Sequence, residues 1–497
     1  SIKMKIRLIL RTCLAAACLL ALATPSSLAQ EGALSADLIE QIQSTFQMDA
    51  HTRAVYNAIT NNDVKSLALN RDILRQHDEF FSDKAKVNGI TNQKSSGRCW
   101  LFAALNSLRP AVIANHRLDG FEFSENYLAF WDKMEKANTF LQYMIDFRNR
   151  DLMDREMVML LRGEPGDGGY FENVADLVTK YGAVPKEAMP ETNSSGKTAM
   201  MNRLLYQKLR SDAVELRKMN EAGKTVDELM AAKREMLQQV YRFLVINLGQ
   251  PPREFTWRYK AAKKEEPGNS DDQHDAKEKD AETENRDQPG TIDHDKTIQI
   301  TTTPQLFFQE FVGVNMEDYV NIFHDTIHEP GKHYRIRMSR NVYDGHDVNY
   351  VNVDIETLKK IAIRSIQDGV PLVFAADVSY DQSSDRGIMA DGLYDYESLF
   401  GLKIRLSKAE RALYRSSVRN HGMTLVGVDL QQGKPIKWRV ENSWGDDKGS
   451  QGYWTMYDNW FDLHVYNIIA NKKYVPGNIL QIKDEPPVVL PPWDPML

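Results

Sequence analysis

The stretch NQKSSGRCWLFAALNSL, residues 92–108, sets Cys99 behind a Ser-Ser-Gly-Arg turn and at the head of a run with helical spacing. A free cysteine is ordinarily a small buried hydrophobe. This one has a setting for chemistry. Gly97 permits a sharp turn, and the amino end of a helix favours the thiolate, the form of sulfur that attacks a carbonyl carbon. Ionising the thiol near neutral pH also calls for a neighbouring imidazole, which must come from elsewhere in the chain. Of the eleven histidines, His421 in RNHGMTLVGVDL stands directly before a strand-like run and is followed by Gly422, so its ring is expected at a strand start beside a cleft. Asn442 in VENSWG ends the next strand-like run. Neighbouring strands would let Asn442 accept a hydrogen bond from one ring nitrogen while the other faces Cys99, with Trp444 shielding that bond from water. Gln93 can donate its side-chain amide to a developing oxyanion beside the Cys99 backbone N–H. Singly these residues read as structural; jointly they supply a nucleophile, a base, an orienter and an oxyanion donor.

A rival pattern is HDTIHE, where His324 and His328 have the spacing of a zinc-binding helix. Asp325 stands where a general-base glutamate belongs, and Pro330-Gly331 would break the helix at once. No metal and no other cofactor is therefore expected.

These groups need elements to hold them. Residues 35–80 are amphipathic with helical period, 99–109 read as a helix stopped near Pro110, and Ser124 caps another helix. GEPGDGGYFENVADLVTKYGAVP is a glycine-rich loop leading into a helix that ends at Tyr181-Gly182, and residues 200–248 suggest a helical insertion. Residues 263–296 hold twelve acidic and six basic side chains and almost nothing apolar, which predicts a disordered surface loop. Beyond it HYRIRM, PLVFAADV, MTLVGVDL, PIKWRVENSW and GYWTMY read as strands. The expected fold class is α+β: a helical half at 30–199, an insertion at 200–325, a β-rich half at 326–484 carrying His421 and Asn442, and a tail at 485–497.

The chain has 497 residues, a formal charge of −7 and a pI near 5.9, which recommends neither a nucleic-acid nor an anionic-membrane partner. Its first 29 residues differ from the rest. Lys3, Lys5, Arg7 and Arg11 precede CLAAACLLALA and the small residues Ser27 and Ala29, the order of a secretory signal cleaved after Ala29. Export to the periplasm or beyond is expected, with no membrane attachment after cleavage. Losing those four cations would take the charge from −7 to −11, and losing Cys13 and Cys18 would leave Cys99 alone.

The blocks QKSSGRCW, NHGM and VENSWG resemble the three active-site segments of papain-like cysteine peptidases. DGGYFENVADLVTKYGAVPK, PPREFTWRY, LSKAER and PPVVLPPWDPM are similar to the bleomycin hydrolase, or aminopeptidase C, branch of that family. The likeness spans about residue 40 to the end, apart from the polar loop. It implies a papain-like fold with helical and hook insertions and hydrolysis of peptide substrates from their amino end. It further implies Cys99 as nucleophile, His421 as base and then acid, Asn442 as orienter and Gln93 as oxyanion donor. Gly168 and Gly169 would bind substrate backbone, and a homohexamer with inward-facing sites would follow. A non-catalytic peptide-binding relative on the same fold is the alternative, against which all four catalytic side chains stand intact. Two departures carry expectations. Gly422 replaces an alanine, which removes a methyl but spares the imidazole. Leu497 follows WDPM at once, where relatives extend further into the cleft. At about 3.3–3.6 Å per extended residue, three or four fewer residues would withdraw the end by roughly 10 Å and relax the exopeptidase restriction.

Overall fold

A computed structural model describes residues 32–163, 166–261 and 296–497. Residues 1–29, expected to be a signal, and the acidic segment up to residue 295 lie outside the described residues, while Lys296 already opens a strand. The described chain divides into two compact units. The smaller holds residues 32–69 with Tyr396–Leu402. Its helices Ala36–Ser44, Ala50–Ile59 and Val64–Ala68 start at Ser35, Asp49 and Asp63, whose side chains accept first-turn N–H groups. Those caps explain why one amphipathic stretch breaks into short helices: each capping residue is extended and turns the chain before the next helix begins.

The larger unit comprises residues 70–395 and 403–497. Helix α1, Cys99–His116, is buried along most of its length. It does not stop at Pro110. An internal proline costs about 3 kcal/mol, but Val112 and Ile113 beyond it are buried, and burial of two such side chains returns roughly 1.5–3 kcal/mol each. Helix α2, Glu125–Asp146, begins at Ser124, whose Oγ accepts the Tyr127 N–H at 3.1 Å. Helix α3, Phe171–Tyr181, ends at Gly182, where φ is +75° and a Cβ would lie 2.1 Å from the Pro304 carbonyl oxygen. Helices α4, Ala199–Glu221, and α5, Val226–Leu248, form the helical part of the insertion. They are followed by the antiparallel pair Phe255–Ala261 and Lys296–Thr302.

One sheet holds the β-rich half. Its main strands are β1 (Tyr319–Phe323), β2 (His333–Ile336), β3 (Asn349–Asn352), β4 (Leu372–Ala376), β5 (His421–Gln431), β6 (Lys434–Glu441), β7 (Tyr453–Tyr457), β8 (Val465–Asn471) and β9 (Val488–Leu490). They run in the order β9-β2-β3-β1-β8-β4-β5-β6-β7, with the short strands Ile388–Met389 and Gln382–Ser383 beyond β7. The insertion is thus not wholly helical, and the β-rich half starts before residue 326, because β1 pairs with β8 and β3. Strand β8, VYNIIAN, is buried at six of seven positions. Buried on both faces, it lacks the alternation that marks a half-exposed strand.

Helix α1 lies against β5 and is tied to β6 by a buried ion pair. Arg109 Nη2 donates to Glu441 Oε1 at 2.8 Å, and both side chains are inaccessible to solvent. Burial pushes the Glu441 carboxyl up to about 7 against the pull of Arg109. Breaking a buried pair costs about 3–5 kcal/mol, because the remaining charge is stranded. Glu441 can escape that cost by taking up a proton. Its folded pKa lies above the unfolded one, so the fold loses stability as pH rises through the folded value. Arg109→Met is therefore expected to lose about 3–5 kcal/mol near pH 8 and less near pH 5, read by urea unfolding at both.

Candidate active site

Arg98 precedes α1 without a side-chain cap and instead pairs with Glu191 through two bonds of 2.9 and 2.8 Å. The first N–H groups of a helix have no intrahelical acceptor, so the positive end of α1 is directed at Cys99. Strand β5 delivers His421 as its first residue, paired with Ala376 of β4. Thr424 lies opposite Glu441, which places Asn442, one residue beyond β6, at the same end of the sheet. His421 Nε2 lies 2.9 Å from Asn442 Oδ1. That leaves Nδ1 for the Cys99 sulfur, with which the ring is hydrogen-bonded. The Gly422 N–H also donates to Cys99 Sγ, at 3.5 Å. Asn442 Oδ1 is itself held by the Ser443 N–H at 2.8 Å, and the Trp444 ring stands 4.7 Å from His421, centroid to centroid.

The electrostatics follow from this contact. Burial alone would raise the Cys99 pKa, but the hydrogen bond and charge of His421, with the N–H groups of Gly422 and Trp100, bring it below its usual value. Burial alone would lower the pKa of His421; Cys99 and Asn442 hold it above the usual value. The pair is therefore stabilised as thiolate and imidazolium, and its proton titrates as a shared property.

Gln93 is fixed from two sides. Its Oε1 accepts the Ser443 hydroxyl at 2.7 Å and its Nε2 donates to the Ser96 carbonyl at 2.6 Å. The second Nε2 hydrogen remains for a ligand. Cys99, His421 and Gln93 open on a cleft of about 800 Å³, which Gly168, Gly169, Trp444 and Leu497 also line, with Asn442 behind the wall. The candidate site residues found in the sequence are thus gathered around one cleft. Its remaining walls are largely apolar, with Phe140, Met159, Val373 and Ile469 among them. His324 and His328 are elsewhere and on no helix: one ring meets the Val353 carbonyl, the other Asp325.

The Peptidase C1-like family profile matches residues 33–272 and 283–497. The chain belongs to the Peptidase C1-like family. It is 34% identical over 466 residues to aminopeptidase C of Streptococcus thermophilus, covering 93% of this chain and 98% of that one. It is also 34% identical over 475 residues to human bleomycin hydrolase, covering 93% and 96%. The crystal structure of PepW from Lactobacillus rhamnosis superposes with a TM-score of 0.84 at 35% identity, over 94% of this chain and 99% of that one. The fold is papain-like α+β, and the chain is a cysteine peptidase of this family.

Within this family member, two groups that hold the site are absent from the sequence reading. Asp167 Oδ2 accepts the Gly97 N–H at 2.8 Å and the Thr198 hydroxyl, while Oδ1 receives Lys133 and Asn202 at 2.8 Å each. Its carbonyl oxygen accepts the Trp100 indole N–H at 2.6 Å. One residue therefore joins the turn before Cys99 to the loop of Gly168 and Gly169. Lys136 secures the same loop by donating to the carbonyls of Gly166 and Gly168 at 2.8 and 2.6 Å. The available signal was position: Asp167 directly precedes two glycines in GDGGY.

The glycines of the site differ in what they require. A Cβ on Gly169 would lie 2.6 Å from the Trp100 ring, whereas one on Gly168 would meet nothing within 4 Å. A Cβ on Gly422 would sit 3.4 Å from Trp100 Cα, an ordinary contact. Gly169→Ala is expected to lower kcat/KM for a peptide substrate by about tenfold or more, since a displacement near 1 Å in a reacting geometry costs up to about a hundredfold. Gly422→Ala should stay within about twofold in the same assay, because overpacking penalties need a closer contact than this one.

Proposed function

We propose that this chain is an exported thiol aminopeptidase of the bleomycin hydrolase type, with Cys99, His421, Asn442 and Gln93 as its catalytic residues. The observation that carries the reading is the Cys99–His421–Asn442 contact, with His421 Nε2 bonded to Asn442 at 2.9 Å and its other nitrogen turned to the sulfur. The Cys99 thiolate attacks the scissile carbonyl carbon, and the oxygen that gains charge meets the Cys99 backbone N–H and the free hydrogen of Gln93 Nε2. The His421 imidazolium passes its proton to the leaving amine as the C–N bond breaks, leaving an acyl-thioester. The neutral ring then takes a proton from water, whose oxygen attacks the thioester and releases the acid and the thiolate. Asn442 holds the ring in one orientation throughout, and Trp444 covers that hydrogen bond. Gly168 and Gly169 offer backbone groups to the substrate, and Leu497 borders the space it enters.

The finer parts of this reading have separate supports. Export rests on the order of basic, apolar and small residues in 1–29. Assembly of copies, with a hexamer as the expected form, is supported by apolar side chains left exposed in the smaller unit, among them Ile42, Phe46 and Tyr56. A cleft of about 800 Å³ is near the upper end of the range of about 300–1,000 Å³ for small-ligand pockets. It supports admission of longer or amino-blocked peptides beside the amino-terminal cut.

With reductant present, the leaderless protein is expected to cleave fluorogenic amino-acid amides and Cys99→Ala to show no turnover. Gln93→Ala should lose about a hundredfold or more in kcat, the effect of deleting one oxyanion donor. The profile of kcat/KM against pH should be bell-shaped. Activity appears on the acid side below the ordinary thiol pKa, because that of Cys99 is lowered, and persists above the ordinary imidazole pKa, because that of His421 is raised. Cleavage of N-acetylated peptides in the same panel supports the relaxed restriction, and a strict demand for a free amine rejects it. Light scattering on the leaderless protein should return the mass of an oligomer rather than of one chain.

A further inference from the structure

Two positions before His421, in SSVRNHGM, the chain places an arginine. The backbone here is firmly held. The Asn420 N–H donates to the Ala376 carbonyl at 3.1 Å. Its side chain accepts the Val378 N–H at 3.0 Å and donates to Asp377 Oδ1 at 2.8 Å. From this fixed base Arg419 lines the cleft beside Asn420 and His421. Its guanidinium lies over the Tyr170 ring at 5.0 Å and the Phe323 ring at 4.6 Å. Stacking on aromatic faces orients the guanidinium plane and offsets part of its lost hydration.

Arg419 is also the least neutralised cation of the cleft. Besides His421, the cationic side chains that line it are Lys136, Arg340 and Arg419, and no aspartate or glutamate lines it among the described residues. Lys136 pairs with Asp132 at 2.7 Å, and Arg340 with Asp347 at 2.7 Å. Arg419 makes no ion pair with a described carboxylate. Its Nη2 donates to the Met496 carbonyl at 2.5 Å, and its buried Nε has no acceptor. The Glu172 carboxyl feels the Arg419 charge, but burial pushes its pKa up against that pull, and its Oε1 already accepts Asn321 Nδ2 at 2.9 Å. A guanidinium with unused donors is matched by a carboxylate, whose two oxygens can take two parallel N–H bonds.

Tyr170, over which Arg419 lies, directly follows Gly168 and Gly169, the loop that offers backbone groups to the substrate. We propose that Arg419 is a specificity-determining residue: its guanidinium receives the carboxylate of an aspartate or glutamate side chain on the amino-terminal side of the cleaved bond, so that acidic peptides are favoured over basic ones. The inference rests on the peptidase reading of the cleft.

The test follows consumption of three aryl amides, those of Glu-Ala, Gln-Ala and Lys-Ala. Whichever bond is cut, the varied residue lies on its amino-terminal side. Glutamate and glutamine share a shape and differ in charge. For the unaltered protein, kcat/KM is expected to be about tenfold or more higher with Glu than with Gln, the scale of one hydrogen bond to a charged group. Lys should be the poorest of the three. Added salt should shrink the Glu preference. Arg419→Met and Arg419→Gln both remove the charge, and each is expected to bring the ratio of Glu to Gln to about one. Arg419→Lys keeps the charge without the planar fork and should retain part of the preference. A merely structural role would slow all three substrates together and leave their ratios intact. An unchanged ratio in either charge-removing variant therefore overturns the proposal, as does a ratio near one, or a preference for Lys, in the unaltered protein. Consumption of any of the three by the unaltered protein, absent in Cys99→Ala, tests the peptidase reading independently.

Discussion

One proton shared between a sulfur and an imidazole determines what this molecule must build. A thiol in a buried place resists ionisation, and an imidazole in the same place resists protonation. Each overcomes its own penalty only in the other's presence. The benefit falls away within a few ångströms, so Cys99 and His421, which are 322 positions apart, must be held close without relying on either side chain to find the other. The backbone does this. The sulfur sits at the first turn of α1, the ring at the first residue of β5, and the Gly422 N–H reaches the sulfur at 3.5 Å.

Holding a helix end against a strand end requires the two halves to be locked together. Apolar packing supplies most of the adhesion but little orientation, because it is non-directional. Orientation comes from buried polar struts. Arg109 and Glu441 fix the middle of α1 to the strand that leads to Asn442. Ser443 binds Gln93 through its hydroxyl and, through its carbonyl, the Gln93 N–H at 2.8 Å. Asp167 does the same for the turn of Gly97 and the glycine loop. Each strut is costly to bury alone and is tolerated because its partner is already in place.

The parts of this arrangement that were legible in the sequence are those with local signals. Ser124 before an amphipathic run, Gly182 after one, and Cys99 behind a glycine turn each declare themselves within a few residues. The pairing of β5 with β6 was legible from two adjacent strand-like runs. Pro110 misled because its local penalty is offset by burial that only the folded chain provides. Strands β1 and β8 escaped because apolar residues on both faces erase the period of two. The contact of Ser443 with Gln93 was illegible for a different reason. The two are 350 positions apart, and an isolated serine carries no record of a distant acceptor.

Gly169 rests flat against the Trp100 indole, and the same indole is bonded to the Asp167 carbonyl. The loop of Gly168 and Gly169 and the helix that begins at Cys99 are therefore one rigid casting. Evolution cannot adjust the first to suit a new ligand without disturbing the second. Divergence in what such an enzyme accepts is channelled to other lining residues of the cavity, Met159 and Phe140 among them.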